Sequence, residues 1–78
     1  MAKYRKIALT EASQWFNMGD HPAVIDKHFL GIGTLRGIQT LEGFMEVLPG
    51  DWIATGIQGE HWAIKPNIFA QTYEFVEE

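Results

Sequence analysis

Alternating hydrophobic and polar residues predict a strand near the start of the chain. Over residues 4–11, Ile7 and Leu9 alternate with small or polar residues, so one face of an extended segment would be apolar. Residues 12–16 continue the alternation less regularly. Residues 17–20 are rich in turn-forming residues and are interpreted as a loop.

The next apolar positions have helical spacing, and a helix is predicted over residues 21–30. Asp20 is placed to cap its N-terminus, Pro22 lies in the first turn, and Gly31 follows as a left-handed stop. Four residues would form the buried stripe of this helix: Val24, Ile25, His28 and Phe29. Because His28 lies on that stripe, it is interpreted as a partly buried residue with one hydrogen-bond partner.

Glycine and proline divide the rest of the chain into strand-length segments. Residues 34–40 and 44–48 are predicted strands, separated by a turn at residues 41–43. Pro49 and Gly50 together give the signal of a type II turn, because proline fixes φ and glycine accepts a positive φ. The chain is therefore expected to reverse its direction there.

The same turn chemistry predicts a hairpin and a short helix near the C-terminus. Strands at residues 51–55 and 60–65 flank the linker 56–59, which has glycine at both ends and permits a tight hairpin. Asn67 could cap a single helical turn. Residues 72–76 return to an extended alternation.

These elements predict one α+β domain spanning residues 1–78: a small, twisted antiparallel β-meander of about five strands with one packed α-helix. The sheet could curl towards a small barrel. A chain of 78 residues is close to the lower size at which apolar burial suffices for folding. It has no cysteine, and its three Trp, two Tyr and five Phe residues are expected to supply much of the core.

Charge and hydropathy exclude several classes of function. The net charge is -4, with half of the basic side chains within residues 3–6, so a nucleic-acid surface that tracks phosphates is not expected. The longest apolar run is far too short to span a membrane, and the N-terminus leads into no apolar signal region. Together with the lack of cysteine, these features predict a soluble protein of the reducing cytoplasm.

No motif in the sequence points to catalysis, a cofactor or a bound metal. The glycines at residues 31–33 follow a predicted helix instead of opening one, and there is no Walker sequence. Ser13 lacks an elbow motif and a histidine at a recognisable partner position. His21 and His28 would lie about 10 Å apart along the predicted helix, too far to share one ion. A non-enzymatic protein without cofactors is therefore predicted.

Several short motifs along the chain form a recognisable pattern. They are Tyr4-Arg5-Lys6, Glu11-Ala12, Gln14-Trp15, Thr40-Leu41-Glu42-Gly43, Pro49-Gly50-Asp51-Trp52-Ile53, Gly59-Glu60, Lys65-Pro66, Ile68-Phe69 and Thr72-Tyr73-Glu74. With these motifs the chain resembles a family of small phage and prophage proteins, mostly known as uncharacterised open reading frames. The resemblance covers residues 3–76, and residues 49–74 are its most specific part.

Three positions depart from the pattern of that family. The strand around Ile7 lacks a proline, Trp62-Ala63 stands where an aromatic-proline pair is common, and Asn67 replaces the usual aspartate. Asn67 preserves the capping chemistry. The resemblance implies a phage-borne accessory protein in the bacterial cytoplasm, and it implies no particular reaction.

The candidate binding residues lie in the most specific part of the pattern: Asp51, Trp52, Glu60, Trp62 and Lys65. In a structural interpretation, Asp51 accepts backbone N–H bonds in the preceding turn, and Glu60 pairs with Lys65 across the meander. In a functional interpretation, these charges rim a concave sheet face beside the two tryptophans, where aromatic surface would seat a partner. Trp52 and Trp62 are expected near each other across the hairpin.

The favoured hypothesis is a non-enzymatic phage accessory protein that binds a host or phage protein and modulates it, for instance to counteract a host defence. Two alternatives stay open. The first is a small-ligand protein that binds a nucleotide signal, although Lys65 is the only Lys or Arg after Arg36. The second is a structural role in the virion or its assembly, through self-association at sheet edges.

Overall fold

Two antiparallel sheets and a short helix make up the fold. The computed structural model describes residues 1–5 and 8–76. Its elements are β1 (Glu11–Gln14), β2 (Ile25–Phe29), β3 (Gly33–Thr40), β4 (Gly43–Glu46), β5 (Trp52–Thr55), β6 (His61–Ile64) and α1 (Pro66–Thr72). Sheet A has the strand order β1-β5-β6, and sheet B has the order β2-β3-β4. The predicted α+β class is confirmed, and the described strands form two open sheets instead of a closed barrel.

The helix predicted over residues 21–30 is wrong, because half of that segment forms strand β2. Asp20 does not cap a following helix. Its Oδ2 atom accepts hydrogen bonds from the preceding backbone N–H groups of Phe16 and Asn17, both at 3.0 Å. His28, assigned to a buried stripe, is exposed on β2. The Asp20 carboxylate therefore closes the loop that precedes it, and it does not cap the segment that follows.

Proline and glycine around β2 act as turn residues and not as helix boundaries. Pro22 lies in the turn that precedes β2, and Gly31 lies in the loop of the β2–β3 hairpin. Asp26 and Arg36 are directly opposite in this hairpin, and Arg36 Nε donates to Asp26 Oδ1 at 3.0 Å. The extended pairing thus brings together opposite charges that a helix would have kept apart.

The first strand is displaced from its predicted position at residues 4–11. Strand β1 begins where that stretch ends, and all four of its residues pair with the four residues of β5. Leu9 is exposed, so the alternation before β1 does not bury one common face. Lys6 and Ile7, which belong to the predicted strand, lie outside the described residues.

The turn signals between residues 41 and 65 are confirmed. A turn at residues 41–42 joins β3 to β4, and a hairpin around residues 56–59 joins β5 to β6. Before β5, the Asp51 N–H donates to the Leu48 carbonyl at 3.0 Å, and Gly50 has φ +97°. A type II turn needs a positive φ at this position, which glycine adopts without steric cost.

The C-terminal helix is longer than predicted and begins differently. Lys65 is its N-cap residue, Pro66 occupies the first turn, and no described side chain caps it. Asn67, the predicted cap, lies inside the helix. The extended segment predicted at residues 72–76 forms no strand in the described part of the chain. Proline at the first helical position sets the start of α1, because its fixed φ already suits a helix.

The hydrophobic core lies between the sheets, where β6 packs against β3 and β4. Five buried side chains form its cluster: Trp15, Val24, Ile38, Val47 and Ile53. The Trp15 indole Nε1 has no hydrogen-bond partner among the described residues, which offsets part of the gain from burying the ring. This core is small for the length of the chain, and many large apolar side chains stay at the surface.

Gly37 lies inside β3 at a position that has no room for a side chain. A Cβ atom there would meet the Met45 carbonyl oxygen of β4 and would lie 2.9 Å from Phe44 Cε2. We expect Gly37→Ala to destabilise the protein by about 2 kcal/mol or more, because a backbone carbonyl cannot move aside without disturbing the strand ladder. Urea denaturation followed by tryptophan fluorescence measures the change.

Gly56→Ala is the matched control for this prediction. The atoms nearest to a Cβ at Gly56 would belong to the Glu60 carboxylate, the free end of a flexible side chain. That side chain can rotate away at the cost of one exposed hydrogen bond, from the Gln58 N–H, so we expect a loss below about 1 kcal/mol. Equal losses in the two alanine variants would contradict the role given to Gly37.

Candidate functional site

The five predicted binding residues fall into two groups at opposite ends of the β5–β6 hairpin. Asp51, Trp52 and Lys65 lie at the open end of the hairpin, and Glu60 and Trp62 lie at its turn end. The single concave site expected from the sequence is therefore two separate places. Each has its own neighbours and its own chemistry.

Trp52 and Trp62 lie on the same face of the hairpin but are not directly opposite each other. Trp52 pairs with Ile64, and Trp62 pairs with Ala54. Since alternate residues of a strand share a face, the two indoles are diagonal neighbours. Ala54, between them, is fully buried although it faces away from the core. Large side chains thus cover both faces of sheet A.

At the open end, residues 47–51 form a corner that carries the chain from sheet B to sheet A. Asp51 is 2 % exposed, and its Oδ2 atom accepts the Leu48 N–H at 3.0 Å and Lys65 Nζ at 3.1 Å. The predicted turn role of Asp51 is confirmed. The predicted pair of Glu60 with Lys65 is wrong, because Lys65 reaches the buried carboxylate instead.

Backbone hydrogen bonds attach Trp15 to the same corner. The Trp15 N–H donates to the Asp51 carbonyl, and the Gly50 N–H donates to the Trp15 carbonyl, both at 2.8 Å. Gln14 Nε2 also donates to the Gly50 carbonyl at 3.0 Å. The corner therefore fixes the largest core side chain in place. Asp51 is buried in this corner, whereas the Lys65 side chain is half exposed.

Trp52, Phe69 and Tyr73 form a stack of three aromatic rings. The Phe69 ring lies 4.1 Å from Trp52 with a 4° angle between the planes, and Tyr73 lies 4.8 Å from Phe69 at 11°. Phe69 lies in α1 and Tyr73 is its C-cap residue, whose N–H donates to the Phe69 carbonyl at 3.0 Å. The stack attaches α1 to sheet A. It also occupies the Trp52 ring, which the sequence had suggested as partner surface.

We expect Asp51→Ala to destabilise the protein by about 2 kcal/mol, because it leaves the Leu48 N–H in the corner without its acceptor. Lys65→Met should cost less than Asp51→Ala, because the lysine side chain is half exposed and the Leu48 N–H keeps its acceptor. Urea titrations of both variants give the comparison. A loss in Lys65→Met as large as that in Asp51→Ala would show that the ion pair, and not the turn, carries the stability.

At the turn end, Trp62 and Glu60 line a groove of about 640 Å³, here named the Trp62 groove, between the hairpin and the N-terminal segment. Leu9 comes from that segment, and Ile57 comes from the hairpin turn. These two side chains are 74 % and 83 % exposed. The Glu60 carboxylate accepts the Gln58 N–H at 3.3 Å, which holds it beside the turn.

The Trp62 groove is mainly apolar, with one charge of each sign. Among its described lining residues, Arg5 carries the positive charge and Glu60 the negative one. A phosphate group needs several donors and cations around it, and a carboxylate in the same groove opposes it. An apolar side chain suits Leu9, Ile57 and Trp62 better, because it would remove exposed apolar surface from water.

Sequence reasoning identified Trp62 and Glu60 but missed Arg5, Leu9 and Ile57. Nothing in the sequence indicates that the N-terminal segment lies beside the β5–β6 turn, because that placement depends on tertiary contacts. Ile57 did carry a signal. A large apolar residue between two hairpin glycines cannot reach the core, so it is available for a partner.

A pair of histidines on the inner face of sheet A was also missed. His21 comes from the loop before β2 and His61 from the start of β6, and their ring centroids lie 5.2 Å apart, edge to face. His61 Nδ1 is hydrogen-bonded to Thr55 Oγ1 at 3.0 Å. Glu11, Ser13 and His21 line a neighbouring cavity of about 240 Å³. The two histidines are far apart in the chain, so no spacing rule connects them.

Burial lowers the pKa of His21 below its ordinary value of 6.5, and the charge of His61 lowers it further. His21 Nδ1 accepts the Ala23 N–H at 3.0 Å, which requires that nitrogen to carry no proton. His21 is therefore neutral at pH 7, and protonation works against the folded loop. The described residues contain no group of three or more histidine or acidic side chains that could hold a metal ion.

His21→Asn should reduce the sensitivity of the fold to acid. Because the folded-state pKa of His21 is below 6.5, the unfolded chain binds more protons, so stability is present above pH 6.5 and falls as the pH drops below it. Asparagine can still accept the Ala23 N–H but does not titrate. Urea titrations at pH 7.5 and 5.5 should show a smaller loss of stability in this variant than in the wild type. The same loss in both proteins would contradict this role, and His28→Asn is the control on an exposed histidine.

Comparison of the chain with protein-family models, with curated proteins and with solved structures found no match. The resemblance to small phage proteins therefore stays a prediction. Within residues 1–5 and 8–76, no helix is long and apolar enough to cross a membrane.

Proposed function

We propose that this chain is a non-enzymatic accessory protein of a phage or prophage, which acts in the bacterial cytoplasm by binding a host or phage protein and modulating it. Counteracting a host defence is one such role. The Trp62 groove is the proposed contact surface. The observation that carries the proposal is the exposure of Leu9 and Ile57 on its two walls.

The proposed occupant is an apolar side chain presented by a protein. Trp62 would form the floor under that side chain, and the two exposed walls would close on it. Aromatic residues at the centre of a contact, with polar groups at the rim, are typical of the residues that dominate protein binding. Arg5 and Glu60 supply rim charges of both signs, which would orient the partner.

A nucleotide signal is the less favoured occupant. The groove volume of about 640 Å³ is within the range of small-molecule sites. Its charges do not suit phosphate, because the Glu60 carboxylate lines the same groove and would repel it. A thermal-shift screen with nucleotides tests this alternative, since a ligand at 100 times its dissociation constant adds about 2.7 kcal/mol of stability.

Ile57→Asp should abolish partner binding while leaving the fold intact. A charge in the groove would oppose the insertion of an apolar side chain, and Ile57 contributes little to the core because it is exposed. The tagged protein is first used to capture partners from extract of infected or lysogenic cells. The purified partner is then titrated by calorimetry, where we expect the affinity of Ile57→Asp to fall at least about tenfold, or about 1.4 kcal/mol.

Leu41→Asp is the control, because Leu41 is equally exposed but lies in the β3–β4 turn, outside the groove. It should bind the partner like the wild type. Equal binding by Ile57→Asp would show that the groove is not the contact surface. Equal weakening by both variants would show that the effect of charge is not specific to the groove.

A further inference from the structure

Strand β1 lies at the edge of sheet A, and one of its sides has no strand beside it. The Trp15 N–H donates to the Asp51 carbonyl, which continues the pairing of β1 with β5. The N–H and C=O of one residue point to the same side of a strand, and the side alternates along the strand. Ser13 therefore faces β5, whereas Ala12 and Gln14 face outwards. Within residues 1–5 and 8–76, no strand pairs with this side.

The other sheet edges are covered or carry charges that discourage pairing. On β6, the Ala63 N–H donates to Met45 Sδ of β4 at 3.3 Å, so these two edges lie against each other. Strand β2 carries Asp26 and Lys27, and charged side chains on an edge strand oppose the addition of another strand. Strand β1 has no proline or lysine, and its only charge is at its first residue. Among the described strands, β1 therefore has the edge best suited to pairing.

The open edge of β1 is continuous with the Trp62 groove. Thr10 immediately precedes β1, and it lines the groove together with Gly56 and Trp62. The threonine side chain is small and glycine has none, so no large side chain separates the edge from the groove at these two positions. A strand added to β1 would lie about 4.8 Å from it. One of its side chains would then extend over Thr10 into the groove.

We propose that the partner binds as an extended segment, which adds a strand to the free edge of β1 and inserts one apolar side chain into the Trp62 groove. This inference rests on the proposed function, because it specifies the partner of the same groove. The outward N–H and C=O groups of Ala12 and Gln14 repeat at the spacing of alternate strand residues, which another extended backbone matches. Backbone bonds of this kind supply affinity, and the groove selects the side chain.

An extended segment of another protein fits better than a helix or a second copy of β1. A helix already uses its own backbone N–H and C=O groups, so it cannot bond to those of β1. A second copy of β1 could pair through its backbone. However, its residues on the face of the groove are Ala12 and Gln14, and neither has a large apolar side chain.

Hydrogen exchange in the wild-type protein tests the strand addition without any captured partner. The probe is the synthetic peptide Thr-Val-Thr-Leu-Thr-Val-Thr, whose apolar residues share one face when it is extended. In the free protein, we expect fast exchange at the Ala12 and Gln14 amides and slow exchange at Ser13. Saturation with the peptide should slow exchange at Ala12 and Gln14 at least about tenfold and shift the indole signal of Trp62. The same peptide with aspartate in place of leucine should bind at least about tenfold more weakly.

Ala12→Pro removes one backbone donor that faces the peptide. Its N–H points away from β5, so the substitution leaves the hydrogen bonds between β1 and β5 in place. We expect the affinity for the leucine peptide to fall at least about tenfold. Ala12→Ser keeps the N–H and should bind like the wild type. Circular dichroism reports whether each variant is folded, and the wild-type exchange measurement stands even if Ala12→Pro is not.

Several outcomes would overturn the proposal. They are slow exchange at Ala12 and Gln14 in the free protein, a saturating peptide that protects neither amide, and a peptide that does not bind. A wild-type dimer that Ala12→Pro dissociates, seen by sedimentation equilibrium, would also overturn it, because a second copy would then occupy the edge.

Ile57→Asp separates this inference from the proposed function. If Ile57→Asp weakens binding of the leucine peptide while Ala12 and Gln14 stay unprotected in the wild type, the groove is the contact surface and the strand addition is wrong. If both amides are protected and Ile57→Asp binds the peptide like the wild type, the edge pairs with a strand, and the groove of the proposed function is wrong.

Discussion

The fold depends on the hydrogen bonds of one buried carboxylate, Asp51. It accepts an N–H from the turn that ends sheet B and an ammonium group from the start of α1. The backbone at the same residue accepts the Trp15 N–H. Three distant parts of the chain therefore meet at one corner. The corner therefore links sheet B, sheet A and the start of α1.

A small core has consequences for the rest of the molecule. Five side chains fill the space between the sheets, while apolar residues also cover the outer faces. On sheet A, the Trp52 stack and the Trp62 groove share the outer face on either side of Ala54. On sheet B, two phenylalanines and a lysine cover the outer face. A chain this short cannot bury all its aromatic rings within itself, so part of its apolar surface is available to other molecules.

Turn chemistry made the second half of the chain predictable. Gly50 needs a positive φ in its turn, and the glycines around Ile57 permit one hairpin, so the local residues determine the local structure. The segment with β2 was not predictable in the same way. Asp20 can accept N–H groups from either side, and only the loop behind it shows which side it uses. The capping signal was real, but its direction was ambiguous.

The sequence predicted only part of the candidate site, and the reason is related. Trp62 and Glu60 stand out by residue type, whereas Leu9 and His21 reach their positions through contacts between segments far apart in the chain. Periodicity and spacing describe neighbours along the chain and cannot describe those contacts. Asp51 and Lys65 also stood out by type, but their charges serve the corner. A charged residue looks the same in the sequence whether it binds a partner or stabilises the fold.

Hydrogen exchange at individual backbone amides tests the central claim most directly, namely that the corner holds the two sheets together. Amides exchange slowly where the opening that frees them has a high free energy. The account predicts the slowest exchange at the N–H groups of Trp15, Val47 and Gly50, whose hydrogen bonds tie the corner to both sheets. Fast exchange at these three amides, together with the slowest exchange in β2 or α1, would contradict it.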